Sequence, residues 1–111
     1  MPTNRALQIA ACLSLCLASA VLAETVDVKY RGSVDLRPFV CVDTVSSFVN
    51  RVCYDEAKSY MLIQLKSTWY HYCSIDAGTV ASLKSADSKG RFYNANIKGH
   101  FDCRVTPPPS Y

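Results

Sequence analysis

Residues 68–99 read TWYHYCSIDAGTVASLKSADSKGRFYNANIKG, and the order of signals inside this stretch decides the fold class. Thr68 to Cys73 is rich in aromatics and reads as a strand, whose alternation sets Tyr70 and Tyr72 on one face and Trp69, His71 and Cys73 on the other. The period then lengthens from two to that of a helix. Asp76 is an N-cap residue, Val80 and Leu83 stand three apart on one side, and the helix is expected to run to about Ala86. A second, shorter helix follows, capped by Ser88, ended by Gly99 in a left-handed conformation and anchored by Phe92 and Ile97.

Toward the N terminus, Tyr60 to Leu65 places Met61, Ile63 and Leu65 opposite Tyr60, Leu62 and Gln64, the pattern of a strand buried on both faces. Lys66 and Ser67 turn the chain from it into Thr68. Ser47 to Asp55 is a strand built on Val49, Val52, Cys53 and Tyr54, with a break in alternation that predicts a bulge, and Asp55 to Ser59 is the following turn. Further upstream, Thr25 to Tyr30 alternates Val26, Val28 and Tyr30 with polar residues and reads as a short strand ending in a turn at Arg31 and Gly32. Pro38 keeps Arg37 to Cys41 out of helix, so Leu36, Phe39 and Val40 are expected to plug the core from an irregular arm. Downstream, Phe101 to Val105 is expected as a last strand, and the segment with Pro107, Pro108 and Pro109 as an extended tail. The expected fold is α+β: a small antiparallel meander of three to four strands with two helices on one face.

The first 23 residues carry Arg5 ahead of an apolar run from Ala6 to Leu22, and Val21, Leu22 and Ala23 precede the charged Glu24. That run is short for a bilayer span and ends like a cleavage site, so it is expected to be a secretory signal, with no transmembrane segment after its removal. Export to the bacterial periplasm or beyond follows. Cys12 and Cys16 would leave with the signal, and Cys41, Cys53, Cys73 and Cys103 would remain, an even set in an oxidising compartment. Two disulfides are expected, because a domain this small buries too little surface for a robust core. In a meander Cys53 and Cys73 flank a middle strand and stand about 9 to 10 Å apart, beyond a disulfide's usual reach. Two pairings stay open: Cys41 with Cys53 and Cys73 with Cys103, or Cys41 with Cys73 and Cys53 with Cys103. No interval resembles the close C-x-x-C pairs of a zinc site, so neither a metal nor another cofactor is expected.

Residues 46–104 resemble the KTSC domain, a short module named for its occurrence at the C terminus of some lysyl-tRNA synthetases and also found as small stand-alone bacterial proteins. The resemblance runs through Ser46-Ser47, Tyr54-Asp55, the Tyr70-x-Tyr72 pair, the helix after Ile75, Ser88-x-Gly90, Phe92-Tyr93-Asn94 and Ile97. The organisation that follows is a signal at 1–23, an N-terminal arm at 24–45, a KTSC-like domain at 46–105 and a proline-rich tail at 106–111. The resemblance brings no established activity, and the role it implies, RNA binding, comes from the company the domain keeps.

The formal net charge of +3 is too small to mark a polyelectrolyte binder, but Lys84, Lys89, Arg91, Lys98 and Arg104 gather in the last third of the chain. Lys89-Gly90-Arg91 at a helix N terminus would converge free N–H groups and two cations on an anion. Asn94 and Lys98 lie on the same helix and its exit, and Tyr70, Tyr72 and Tyr93 supply aromatic faces for stacking. Those seven residues, Lys89, Arg91, Tyr93, Asn94, Lys98, Tyr70 and Tyr72, form the candidate ligand-binding set. His71 and Cys73 share a strand face, yet a bonded Cys73 offers no thiolate and no third orienting group accompanies them. With no phosphate loop or nucleotide fingerprint either, the reading is a non-enzymatic module for a protein or an anionic ligand. Its alternative is a binder of single-stranded nucleic acid or RNA, with a cell-envelope enzyme the least favoured reading.

Overall fold

The computed structural model describes residues 23–111. The expected signal segment, with Cys12 and Cys16, lies outside the described residues except for Ala23. Six strands, β1 Thr25–Val28, β2 Gly32–Asp35, β3 Val40–Asp43, β4 Val49–Asp55, β5 Tyr60–Leu65 and β6 Thr68–Tyr72, are followed by helices α1 Ala77–Ser85 and α2 Lys89–Asn96. The strands form one sheet in the order β2-β1-β6-β5-β4-β3.

The meander expected from residues 47–73 is present as β4-β5-β6, with Met61 opposite Tyr72 and a register shift between Val49 and Arg51 where the alternation breaks. The sheet as a whole differs from the expectation. It has six strands rather than three or four, and it is mixed, because β1 runs parallel to β6 through the single bridge of Val28 with Trp69. Residues 24–45, expected as an arm with one short strand at Thr25 to Tyr30 and an irregular segment after it, supply β1, as expected, and also β2 and β3. β2 and β3 are four residues long and too short for periodicity to show, and β1 finds its partner β6 far along the chain, a pairing that leaves no local signal.

Two other expectations are corrected. Phe101 to Val105 is not a strand: Phe101 accepts one bond from the Cys73 N–H at 2.8 Å, and the chain then turns as Val105 and Thr106 donate back to the Asp102 carbonyl. Val40 does not plug the core. It lies on the edge strand β3 and is 70% exposed, whereas Leu36 and Phe39 are buried as expected.

Each face of the sheet has its own core. On one face Val49, Val52, Met61 and Ile63 meet Ile75, Val80 and Leu83 around α1 and Tyr93 and Ile97 of α2. Both helices start as their sequences require, Asp76 accepting from the Thr79 N–H and Ser88 from the Arg91 N–H, and Gly99 takes a positive φ of 80° beyond α2. The opposite face carries no helix. It is covered by the β1–β2 hairpin and by Leu36 and Phe39, so Val28 and Val34 lie with Tyr60, Leu62 and Trp69 in a second apolar layer. Tyr60 and Leu62 thus face one core while Met61 and Ile63 face the other, which is why β5 reads as a continuous apolar run.

The disulfides are Cys41–Cys53 and Cys73–Cys103. Cys41 and Cys53 stand directly opposite each other on β3 and β4, and β5 lies between Cys53 and Cys73 as the meander requires. The tail, expected to be merely extended, is docked. Arg31 donates to the Pro109 carbonyl at 2.6 Å, Lys58 to the Ser110 carbonyl at 2.8 Å, and Tyr111 to the buried Asp55 carboxylate at 2.8 Å.

Candidate functional site

Strand β6 is covered by neighbours on only part of its outer edge. Lys29 N–H donates to the Trp69 carbonyl at 2.9 Å, after which the chain turns away at Tyr30, a residue with positive φ that is 86% exposed. Beyond the gap, Cys73 N–H donates to Phe101. A cleft of about 590 Å³ opens between these two ends. Tyr70, His71 and Tyr72 of β6 line it together with Lys29 and Tyr30 on one side, and Gly99, His100, Asp102, Cys103 and Arg104 with Pro108 on the other. The Cys73–Cys103 disulfide ties that second wall to the end of β6.

Charge in the cleft is mostly positive. Lys29 lies 5.3 Å from the centre of the Tyr30 ring and 5.6 Å from that of Tyr70, so its ammonium rests between two aromatic faces. Arg104 grips Asp102 through several hydrogen bonds, which hold the Asp102 carboxyl at a pKa of about 2 and leave no unpaired carboxylate among the lining residues. His71 occupies a different environment. Its Nδ1 is 2.8 Å from the Tyr60 hydroxyl, which receives a bond from Arg31 at 3.1 Å. With Arg31 donating to the Tyr60 oxygen, Tyr60 donates in turn to Nδ1, which leaves the proton of a neutral imidazole on Nε2. Burial first and the nearby Arg31 second lower the His71 pKa, against a weaker opposing pull from Asp102.

Of the seven candidate residues, Tyr70 and Tyr72 line the cleft, and the others stand elsewhere. Tyr93 is buried beneath Tyr72, the two hydroxyls are hydrogen-bonded, and burial is the main cause that raises both phenols above their ordinary pKa. Lys89 donates to the Ala86 carbonyl at the end of α1. The Arg91 N–H is taken by Ser88, and Gly90 is buried against Phe48, whose ring would sit 2.4 Å from an added Cβ. Arg91, Asn94 and Lys98 are exposed and do not line the cleft, although Lys98 directly precedes the lining residue Gly99. The catalytic pairing of His71 with Cys73 fails, because Cys73 is bonded to Cys103. Lys29, Tyr30, His100, Asp102, Arg104 and Pro108 were not singled out as site residues. One signal could have found those after residue 99: a Cys73–Cys103 link, which brings the downstream segment to β6. Among the described residues, no three potential ligands gather as they would around a metal ion.

A family model described as the KTSC domain matches residues 45–101. The crystal structure of a KTSC domain protein from Yersinia pestis is similar with a TM-score of 0.55 and 29% identity, over 58% of this chain and 92% of that one. No curated protein matches. Strands β1, β2 and β3 precede the matched residues, and each disulfide joins one cysteine inside them to one outside, Cys53 to Cys41 and Cys73 to Cys103. The cleft has the same dual origin, since β6, Gly99 and His100 lie within the match while Lys29, Tyr30 and Asp102 to Pro108 lie beyond it. From the matched span, the shared fold and the motifs it contains, the chain belongs to the KTSC domain family.

Proposed function

We propose that this chain is an exported, non-enzymatic binding module whose cleft beside β6 receives a protein segment or another anionic ligand. The observation that carries the reading is the cleft itself, a cavity of about 590 Å³ lined by Lys29 and Arg104 together with the aromatic residues Tyr30, Tyr70 and Tyr72. Cations beside aromatic faces hold carboxylate-bearing ligands through charge and through the apolar body of the rings. Two disulfides support export, since such bonds persist in oxidising compartments, and no helix among the described residues is long and apolar enough to cross a membrane.

NMR titration of the ¹⁵N-labelled protein tests the reading. The probes are a pool of acetylated, amidated pentapeptides each carrying one Asp or Glu, inorganic phosphate, and a single-stranded oligothymidine. The expected result is shift changes centred on residues 70–72 and 99–104 with the peptides. Changes confined to Lys89, Arg91 and Lys98 would move the site to α2. A response to the oligonucleotide that falls steeply with salt, with none to peptides, would replace this reading by nucleic-acid binding.

A further inference from the structure

The backbone of β6 says how a peptide would sit in the cleft. Along a strand, the N–H and C=O of alternate residues point to the same side. Trp69 turns its carbonyl toward β1, where Lys29 bonds it, and Cys73 turns its N–H the same way, toward Phe101. His71 lies midway between them in a regular ladder with β5, so its N–H and C=O point into the same gap. Among the described residues neither group has a hydrogen-bonding partner there: β1 has already turned away at Tyr30, and the segment from Phe101 has not yet arrived. The gap from Trp69 to Cys73 is about 13 Å at strand rise, room for three extended residues.

We infer that the cleft binds an extended acidic peptide by strand addition, its main chain pairing with both backbone groups of His71 and completing the sheet between β1 and Phe101. This deepens the binding-module reading and rests on it. An unpaired donor and acceptor on a sheet edge are a template for another strand. The occupant is acidic because Lys29 is a wall cation with no carboxylate partner among the described residues, and the single lining carboxylate, Asp102, is neutralised by Arg104. Lys29, at the turn where β1 leaves the sheet, selects the carboxylate, and the Arg104–Asp102 pair beyond Phe101 adds no net charge at the other end. The Cys73–Cys103 bond fixes the far end, so the gap keeps its length in the oxidised protein.

The test compares two peptide pools on the intact, oxidised chain: the acidic pentapeptides above, and the same pool N-methylated at its three central residues. N-methylation removes peptide donors and leaves every side chain and charge in place. Strand addition predicts that the plain pool slows exchange of the His71 amide by about tenfold or more, and that the methylated pool binds about tenfold more weakly. If both pools shift the cleft residues equally and His71 exchange is unchanged, strand addition is overturned while the cleft remains a binding site. If neither pool shifts cleft residues, both readings fall together. Charge reversal in Lys29→Glu, with circular dichroism to confirm an intact fold, is expected to weaken the plain pool; unchanged binding would overturn the acidic preference.

Discussion

At the scale of single residues, the motif that carried the family resemblance has structural work to do. Gly90 lets α2 lie against Phe48, and an alanine there brings its Cβ to 2.4 Å from the ring. Overpacking of this kind costs about 1 to 3 kcal/mol, while the better helix propensity of alanine returns at most about 1. Gly90→Ala is therefore expected to destabilise the fold by roughly 1 kcal/mol or more, read from urea denaturation midpoints. His71 makes stability depend on pH. Its folded pKa is lowered by burial and by Arg31, with Tyr60 on its Nδ1 and Asp102 opposing, so the unfolded chain takes up its proton first as pH falls. Stability should decline as the pH drops below about 6.5, and His71→Gln should flatten that part of a denaturation profile recorded between about pH 8 and pH 5. Such residue-scale roles were partly legible in the sequence. Asp76, Ser88 and Gly99 read correctly because capping is local chemistry, whereas the positions of Lys89 and Tyr93 depended on what packs beside them.

At the scale of elements, legibility followed contact range. β4, β5, β6 and both helices were visible because each pairs with, or caps, its own neighbourhood. β2 and β3 were not, because four-residue strands carry little measurable period, and β1, visible as a strand, hid its pairing with the distant β6. The disulfide pairing stayed open for the same reason, since Cys73–Cys103 depends on where the chain goes after α2. Closing that 30-residue separation is worth about 4 kcal/mol by loop entropy, against about 3 for the 12 residues between Cys41 and Cys53. Replacing Cys73 and Cys103 together by serine is expected to lower the denaturation midpoint more than replacing Cys41 and Cys53. The docked tail is a further element that composition concealed. Tyr111 sits 4.1 Å from the Lys58 ammonium and bonds the buried Asp55, so Tyr111→Phe should cost about 1 kcal/mol and loosen residues 106–111 toward proteolysis.

At the scale of the whole molecule, the family core and the residues outside it are stapled together twice, and the cleft lies where they meet. Neither part makes the site alone: the core supplies the aromatic strand edge, and the flanking residues supply Lys29 and Arg104. That division explains why the sequence pointed to α2, the most basic run inside the resemblance, rather than to cations separated by some seventy residues of chain. The most direct measurement is selection of a random peptide library displayed on phage against three oxidised proteins: the wild type, Lys29→Glu/Arg104→Glu, and Lys89→Glu/Arg91→Glu. The cleft reading predicts that acidic clones enrich on the wild type and on the helix variant and disappear on the cleft variant; enrichment that survives charge reversal in the cleft but is lost with Lys89 and Arg91 would contradict it.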